Sequence, residues 1–141
     1  MLADFDEIVD ALPGHGQVIF LDESAQSVEW REFSALLRQV PPPPLPYAGN
    51  GVYDCDKIVR WVAAQINVLW ARTHPSHPLA HGIICGDIPL DQDERVRGWH
   101  CLGCFFDAER RMWVYGAQDR QIMNQPAVRA IRGVDEVIIG G

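Results

Sequence analysis

Hydrophobic positions recur along this chain in two rhythms, and the switches between them mark out its elements. From Ala3 to Leu12 the apolar residues Phe5, Ile8, Val9 and Leu12 fall at helical spacing, and Pro13-Gly14 ends the run. Gln17 to Leu21 is a short apolar stretch rich in β-formers and reads as a buried strand. Helical spacing returns from Ala25 to Val40, with Trp30, Phe33, Leu36 and Leu37 on one face and Ser27 placed to cap the start. The strongest periodic segment begins at Cys55 and runs to Arg72. Ile58, Val59, Val62, Ala63 and Ile66 form its stripe, and Trp61, Leu69 and Trp70 add bulk, which predicts the central helix of the fold.

Beyond it, Leu79 to Cys85 reads as a strand, followed by the acidic loop Pro89 to Arg95. Val96 to Phe106 and Arg111 to Gln118 then read as the two arms of a β-hairpin. Facing residues of an antiparallel pair keep a constant index sum. A three-residue loop at Ala108 to Arg110 sets that sum to 218 and places His100 opposite Gln118. A two-residue loop sets it to 217, with Ala117 opposite and Asp119 on the same face. A short helix at Pro126 to Ile131 and a closing strand over VDEVII complete the pattern.

Four consecutive prolines, Pro41 to Pro44, stop the second helix and impose a stiff polyproline segment that reaches Pro46. A ligand for an aromatic groove is one reading of this run; a rigid connector is the favoured one. The expected organisation is a single domain over 1–141. It divides into an N-terminal helical and strand extension (1–40), the polyproline connector (41–46) and a core (47–141).

Composition narrows the function classes. The chain has 141 residues, 48% hydrophobic and 22% charged, which suits one globular core. A net charge of −7 argues against binding to phosphate backbones, so no nucleic-acid partner is expected. No apolar run reaches the roughly 18–20 residues that cross a bilayer, and the acidic N-terminus lacks a signal peptide's charge pattern. Neither a membrane nor a secreted destination is expected; the expected location is cytoplasmic. In that setting Cys55, Cys85, Cys101 and Cys104 are expected as free thiols.

Candidate chemistry centres on Cys55 and His100. A thiol at a helix N-terminus is drawn toward thiolate by the unpaired backbone N–H groups, although Asp54 and Asp56 oppose this by like charge. A nucleophilic cysteine further needs an imidazole, and the imidazole needs a polar group to orient it; Gln118 and Asp119 are the candidates. Zinc is a weaker reading. Cys101 and Cys104 form a C-x-x-C, and His74, His77, His81 and Cys85 lie upstream, but a strand sends Cys101 and Cys104 to opposite faces. No metal or cofactor is expected. The acidic loop with Asp87, Asp91, Asp93 and Glu94 lacks the spacing of a calcium loop and reads as a solvated segment.

The segments YDCD at the helix start, GWH on the strand and WVYGAQ on the hairpin return carry a family resemblance. Together they resemble the papain-like domain at the C-terminus of certain fungal agglutinins, and related small phage and bacterial proteins of the papain and transglutaminase-like group. The likeness covers about Tyr47 to Gln121. It implies an α+β papain-like core, with a central helix packed on an antiparallel sheet. It further implies a cysteine hydrolase acting on an amide or peptide bond, with Cys55 as nucleophile and His100 as general base. The family's glutamate falls at Gly116, so that GAQ replaces E-P-Q and Gln118 is the retained glutamine. Gln118 or Asp119 would then orient His100. The competing expectation is a catalytically degenerate form of the same fold, of phage origin, that binds a protein partner.

Overall fold

A computed structural model describes residues 2–3, 15–20, 25–45, 55–89, 97–123 and 134–139. Leu2–Ala3 (β1) pairs antiparallel with Ala25–Gln26 (β3). The main sheet has six strands: His15–Phe20 (β2), His81–Pro89 (β4), Arg97–Phe106 (β5), Met112–Tyr115 (β6), Ile122–Met123 (β7) and Val134–Ile139 (β8). Their order is β2-β8-β4-β5-β6-β7, with β2 and β8 parallel and every other neighbouring pair antiparallel. Two helices, Trp30–Gln39 (α1) and Cys55–Thr73 (α2), complete the described fold, which is of the α+β class. The papain-like core expected from the sequence resemblance is not shown.

Helix α2 forms where its apolar stripe can be buried. Ile58, Val59, Val62, Ala63, Ile66 and Trp70 are all withdrawn from solvent, each large side chain contributing about 1.5–3 kcal/mol by burial. Asp56 in the first turn and Arg72 in the last suit the helix dipole. The helix ends two residues before Pro75, whose ring disfavours helical geometry at His74.

The sheet residues that join this core are Ile83, Cys85, Cys101, Phe105 and Tyr115, all at odd positions. Ile84, Leu102, Cys104, Phe106, Met112 and Val114, at even positions, are also buried but stand outside that cluster. Period-two alternation therefore gives the sheet two buried faces, and α2 packs on the odd one.

The hairpin adopts the index sum of 218, with Gly103 opposite Tyr115 and Phe106 opposite Met112. Asp107 holds the turn. Its carboxylate accepts the backbone N–H groups of Glu109 and Arg111, the Arg111 Nε–H at 2.8 Å and the Trp113 Nε1–H at 2.9 Å. Arg110 stands at φ 65°, the left-handed residue that closes a three-residue hairpin loop.

Several sequence expectations change. Leu2–Ala3 is strand where a helix from Ala3 was expected, and Pro89, the expected start of the acidic loop Pro89 to Arg95, ends strand β4; the rest of both segments and the helix at Pro126 to Ile131 lie outside the described residues. The second helix starts at Trp30, not Ala25, and Glu29 takes the cap position in place of Ser27. The reason is tertiary. The Gln26 N–H donates to Pro78 O, the Ala80 N–H to Gln26 O and the Val28 N–H to Phe106 O, so this backbone is engaged before α1 begins. The four free thiols are also corrected, because Cys85 and Cys101 form a disulfide. They oppose each other in the β4–β5 register with Cα atoms 4.2 Å apart, which brings the sulfurs together. Cys55 and Cys104 remain free and buried.

Candidate functional site

Cys55 is the first residue of α2 and lies in the buried cluster with Cys85 and Cys101. Its neighbour Asp56 pairs with Lys57 at 3.2 Å, and Asp54 lies outside the described residues. His100 follows a different path. Cys101 points into the α2 face, so alternation turns His100 toward the other side of the sheet. Among the described residues no hydrogen bond joins Cys55 to His100.

The Asp119 carboxylate covers Gly116 so closely that a Cβ at Gly116 would collide with it, and Oδ1 accepts the Gln121 backbone N–H at 3.0 Å. Partial burial lowers the His100 pKa, and the Asp119 charge acts in the opposite direction. Gln118 is exposed. The sequence-derived residues therefore divide: the Asp119 charge acts on His100, while Cys55 sits in the buried core at the start of α2.

The odd face carries a second polar pair. His81 Nε2 and the Tyr115 hydroxyl lie 2.7 Å apart, both groups fully enclosed. Burial holds the imidazole neutral, with its pKa pushed down to about 3, and raises the Tyr115 phenol well above its ordinary range. Phe33 stacks on Phe105 at 4.0 Å and packs at a tilt against both His81 and Tyr115. With no path to solvent, this pair organises the core.

A cleft of about 280 Å³ opens at the C-terminal end of α2. One wall is the helix, through Asn67 and Trp70, with His74 just beyond its end; the other is the loop Pro75–Leu79. The Trp70 indole N–H donates to His77 O at 2.9 Å and pins the loop across the helix end. His74 stacks flat on Trp70 at 3.6 Å and 4°, with its Nδ1 2.8 Å from the Thr73 hydroxyl and its Nε2 3.7 Å from Glu32. Pro75 and Pro78 stiffen the loop. The result is a concave surface with an aromatic and aliphatic floor and a rim of Asn67, Ser76 and His77. The sequence signal for it was present in THPSHPLAH next to a tryptophan. Its shape depends on the loop folding back on Trp70.

Among the described residues no three His, Cys, Asp or Glu side chains gather as metal ligands: Cys85 and Cys101 are bonded to each other, and His81 is held by Tyr115. No described helix is long and apolar enough to cross a membrane.

No family model and no curated protein sequence matches the chain. Solved structures do. One described as the PSL1a–E64 complex aligns with a TM-score of 0.69 at 11% identity, over 97% of this chain and 51% of its own. Another is Polyporus squamosus lectin bound to the human-type influenza-binding epitope Neu5Acα2-6Galβ1-4GlcNAc. It aligns with a TM-score of 0.67 at 12% identity, over 94% of this chain and 46% of its own. The likeness is one of fold alone. This chain spans about half the length of the chains it matches.

These neighbours correct the reading drawn from the YDCD, GWH and WVYGAQ segments. The second is described as a lectin bound to a sialylated glycan, and neither description names a papain-like or transglutaminase-like protein or a hydrolase. The family identification and the cysteine hydrolase or thiol protease it implied are overturned, and the phage origin finds no support. The segments that suggested them are short.

Proposed function

We propose that this chain is a binding module whose ligand is a small carbohydrate, taken up in the cleft between the end of α2 and the loop Pro75–Leu79. The observation that carries this reading is the cleft itself. A sugar ring presents apolar C–H faces and a periphery of hydroxyls, and it needs a floor and a rim of those two kinds. The half-buried His74 ring, backed by Trp70, and the rings of Pro75 and Pro78 offer the first; the Asn67 amide, the Ser76 hydroxyl and the His77 imidazole offer the second. Pinning by the Trp70 indole and stiffening by two prolines leave little to be ordered on binding, which lowers the entropic cost. The lectin neighbour supports the ligand class, and the binding alternative replaces the hydrolase.

The test is direct titration of the folded chain with Neu5Acα2-6Galβ1-4GlcNAc and with its unsialylated disaccharide, followed by calorimetry. Saturable heat with either sugar, weakened about tenfold or more in Asn67→Ala or His77→Ala, is the expected outcome, each variant removing a rim hydrogen bond. The absence of binding to both sugars, or unchanged affinity in both variants, would overturn the assignment.

A further inference from the structure

The polyproline segment carries a pattern that the cleft does not use. Val40 leaves α1 with φ −70° and ψ 124°, close to polyproline II geometry, and the chain continues without helix or strand to a bend at Pro44–Leu45. Burial along it has period three. Val40 is 5% exposed and Pro43 half-buried, whereas Pro41, Pro42 and Pro44 are exposed and Leu45 is 55% exposed. A polyproline II helix has three residues per turn. One edge, through Val40 and Pro43, therefore lies on the protein, and Pro41 and Pro44 share an edge that faces solvent.

This placement is held from a distance. Arg120, itself at φ 60°, donates from Nη1 to Leu37 O at 3.3 Å and to Val40 O at 3.0 Å, and from Nη2 to Pro41 O at 2.9 Å. Its Nε–H is anchored on Ala117 O at 2.9 Å. One guanidinium thus ties the end of α1 and the start of the proline run to the hairpin side of the fold. A segment already tethered to the fold through Arg120 loses little freedom when it docks.

We propose that Arg38, Pro41 and Pro44 form a docking edge for an SH3-type domain. The prolines three apart would seat in the domain's aromatic-lined groove. Arg38, exposed in the last turn of α1 three residues before Pro41, would meet the domain's acidic flank. Pro41 and Pro44 supply the apolar edge, and Arg38 supplies the orienting charge from the adjoining helix end.

The experiment titrates the intact chain into a panel of purified SH3 domains, with purified WW domains alongside, and follows the domain's aromatic amide and side-chain NMR signals. Saturable shifts with an SH3 member are expected. The double variant P41A/P44A should lose this binding by tenfold or more, because both prolines are solvent-facing and their replacement leaves the core untouched. Arg38→Glu should weaken it about tenfold, in line with loss of a charge-assisted contact. If P41A/P44A does not fold, Arg38→Glu decides the question. The proposal is overturned by failure of every SH3 domain to respond, by unchanged affinity in the variants, or by binding confined to the WW set.

Discussion

The His81 imidazole and the Tyr115 hydroxyl, drawn from strands 34 residues apart in sequence, meet at 2.7 Å inside the core. Removing the hydroxyl with Tyr115→Phe leaves a buried ring nitrogen without this partner. The expected cost is about 1–3 kcal/mol of unfolding free energy, read by urea denaturation with an unchanged m-value.

The same histidine sets an acid limit on stability. Its folded pKa is about 3, below the ordinary 6.5, so between those values the unfolded chain binds a proton that the folded chain excludes. Its contribution is complete above pH 6.5 and declines as the pH falls toward 3, at up to about 1.4 kcal/mol per pH unit. Denaturation across pH 7 to 4 should show this slope, and it should flatten in His81→Gln.

Gly103 faces the Tyr115 ring across the β5–β6 pair, and a Cβ there would land on the ring itself. Gly103→Ala is expected to destabilise by about 1–3 kcal/mol, the ordinary range for overpacking. Combining it with Tyr115→Leu should give less than the sum of the two losses, because the second change vacates the space that the first needs.

The Cys85–Cys101 disulfide spans 16 residues of sequence. Reduction, or Cys101→Ser, is expected to cost about 3 kcal/mol through the freed unfolded chain. Alkylation in denaturant followed by mass spectrometry should label two thiols, Cys55 and Cys104, before reduction and four after it. Four labels without reductant would rule out the bond.

Asp107 should govern the hairpin. Its hydrogen bonds from Trp113 and Arg111, together with the Arg111 charge, hold its pKa below the usual carboxylate value despite burial. The stability it supplies is present at neutral pH and lost as the pH falls through the carboxylate range. Asp107→Asn should cost about 1–3 kcal/mol at pH 7 and show a smaller loss on acidification.

Helix α2 and the hairpin were legible because each is set by residues near one another in the chain: a stripe at helical spacing, and a turn whose length fixes its register. The hairpin even narrowed to two registers, and Asp107 with Arg110 selected the one with sum 218. The start of α1 was not legible, because the backbone of Gln26 and Val28 is claimed by Pro78, Ala80 and Phe106 from distant segments.

The candidate site divides along the same line. The sequence by itself determined which residues could bear chemistry and, through local periodicity, where the central helix and the hairpin lie. Tertiary structure decided which of them meet. The β4–β5 register joined Cys85 to Cys101, alternation separated His100 from the α2 face, and the loop folding onto Trp70 made the cleft. Those outcomes follow from pairing between distant strands, with β8 inserted between β2 and β4, and no local pattern encodes such an insertion.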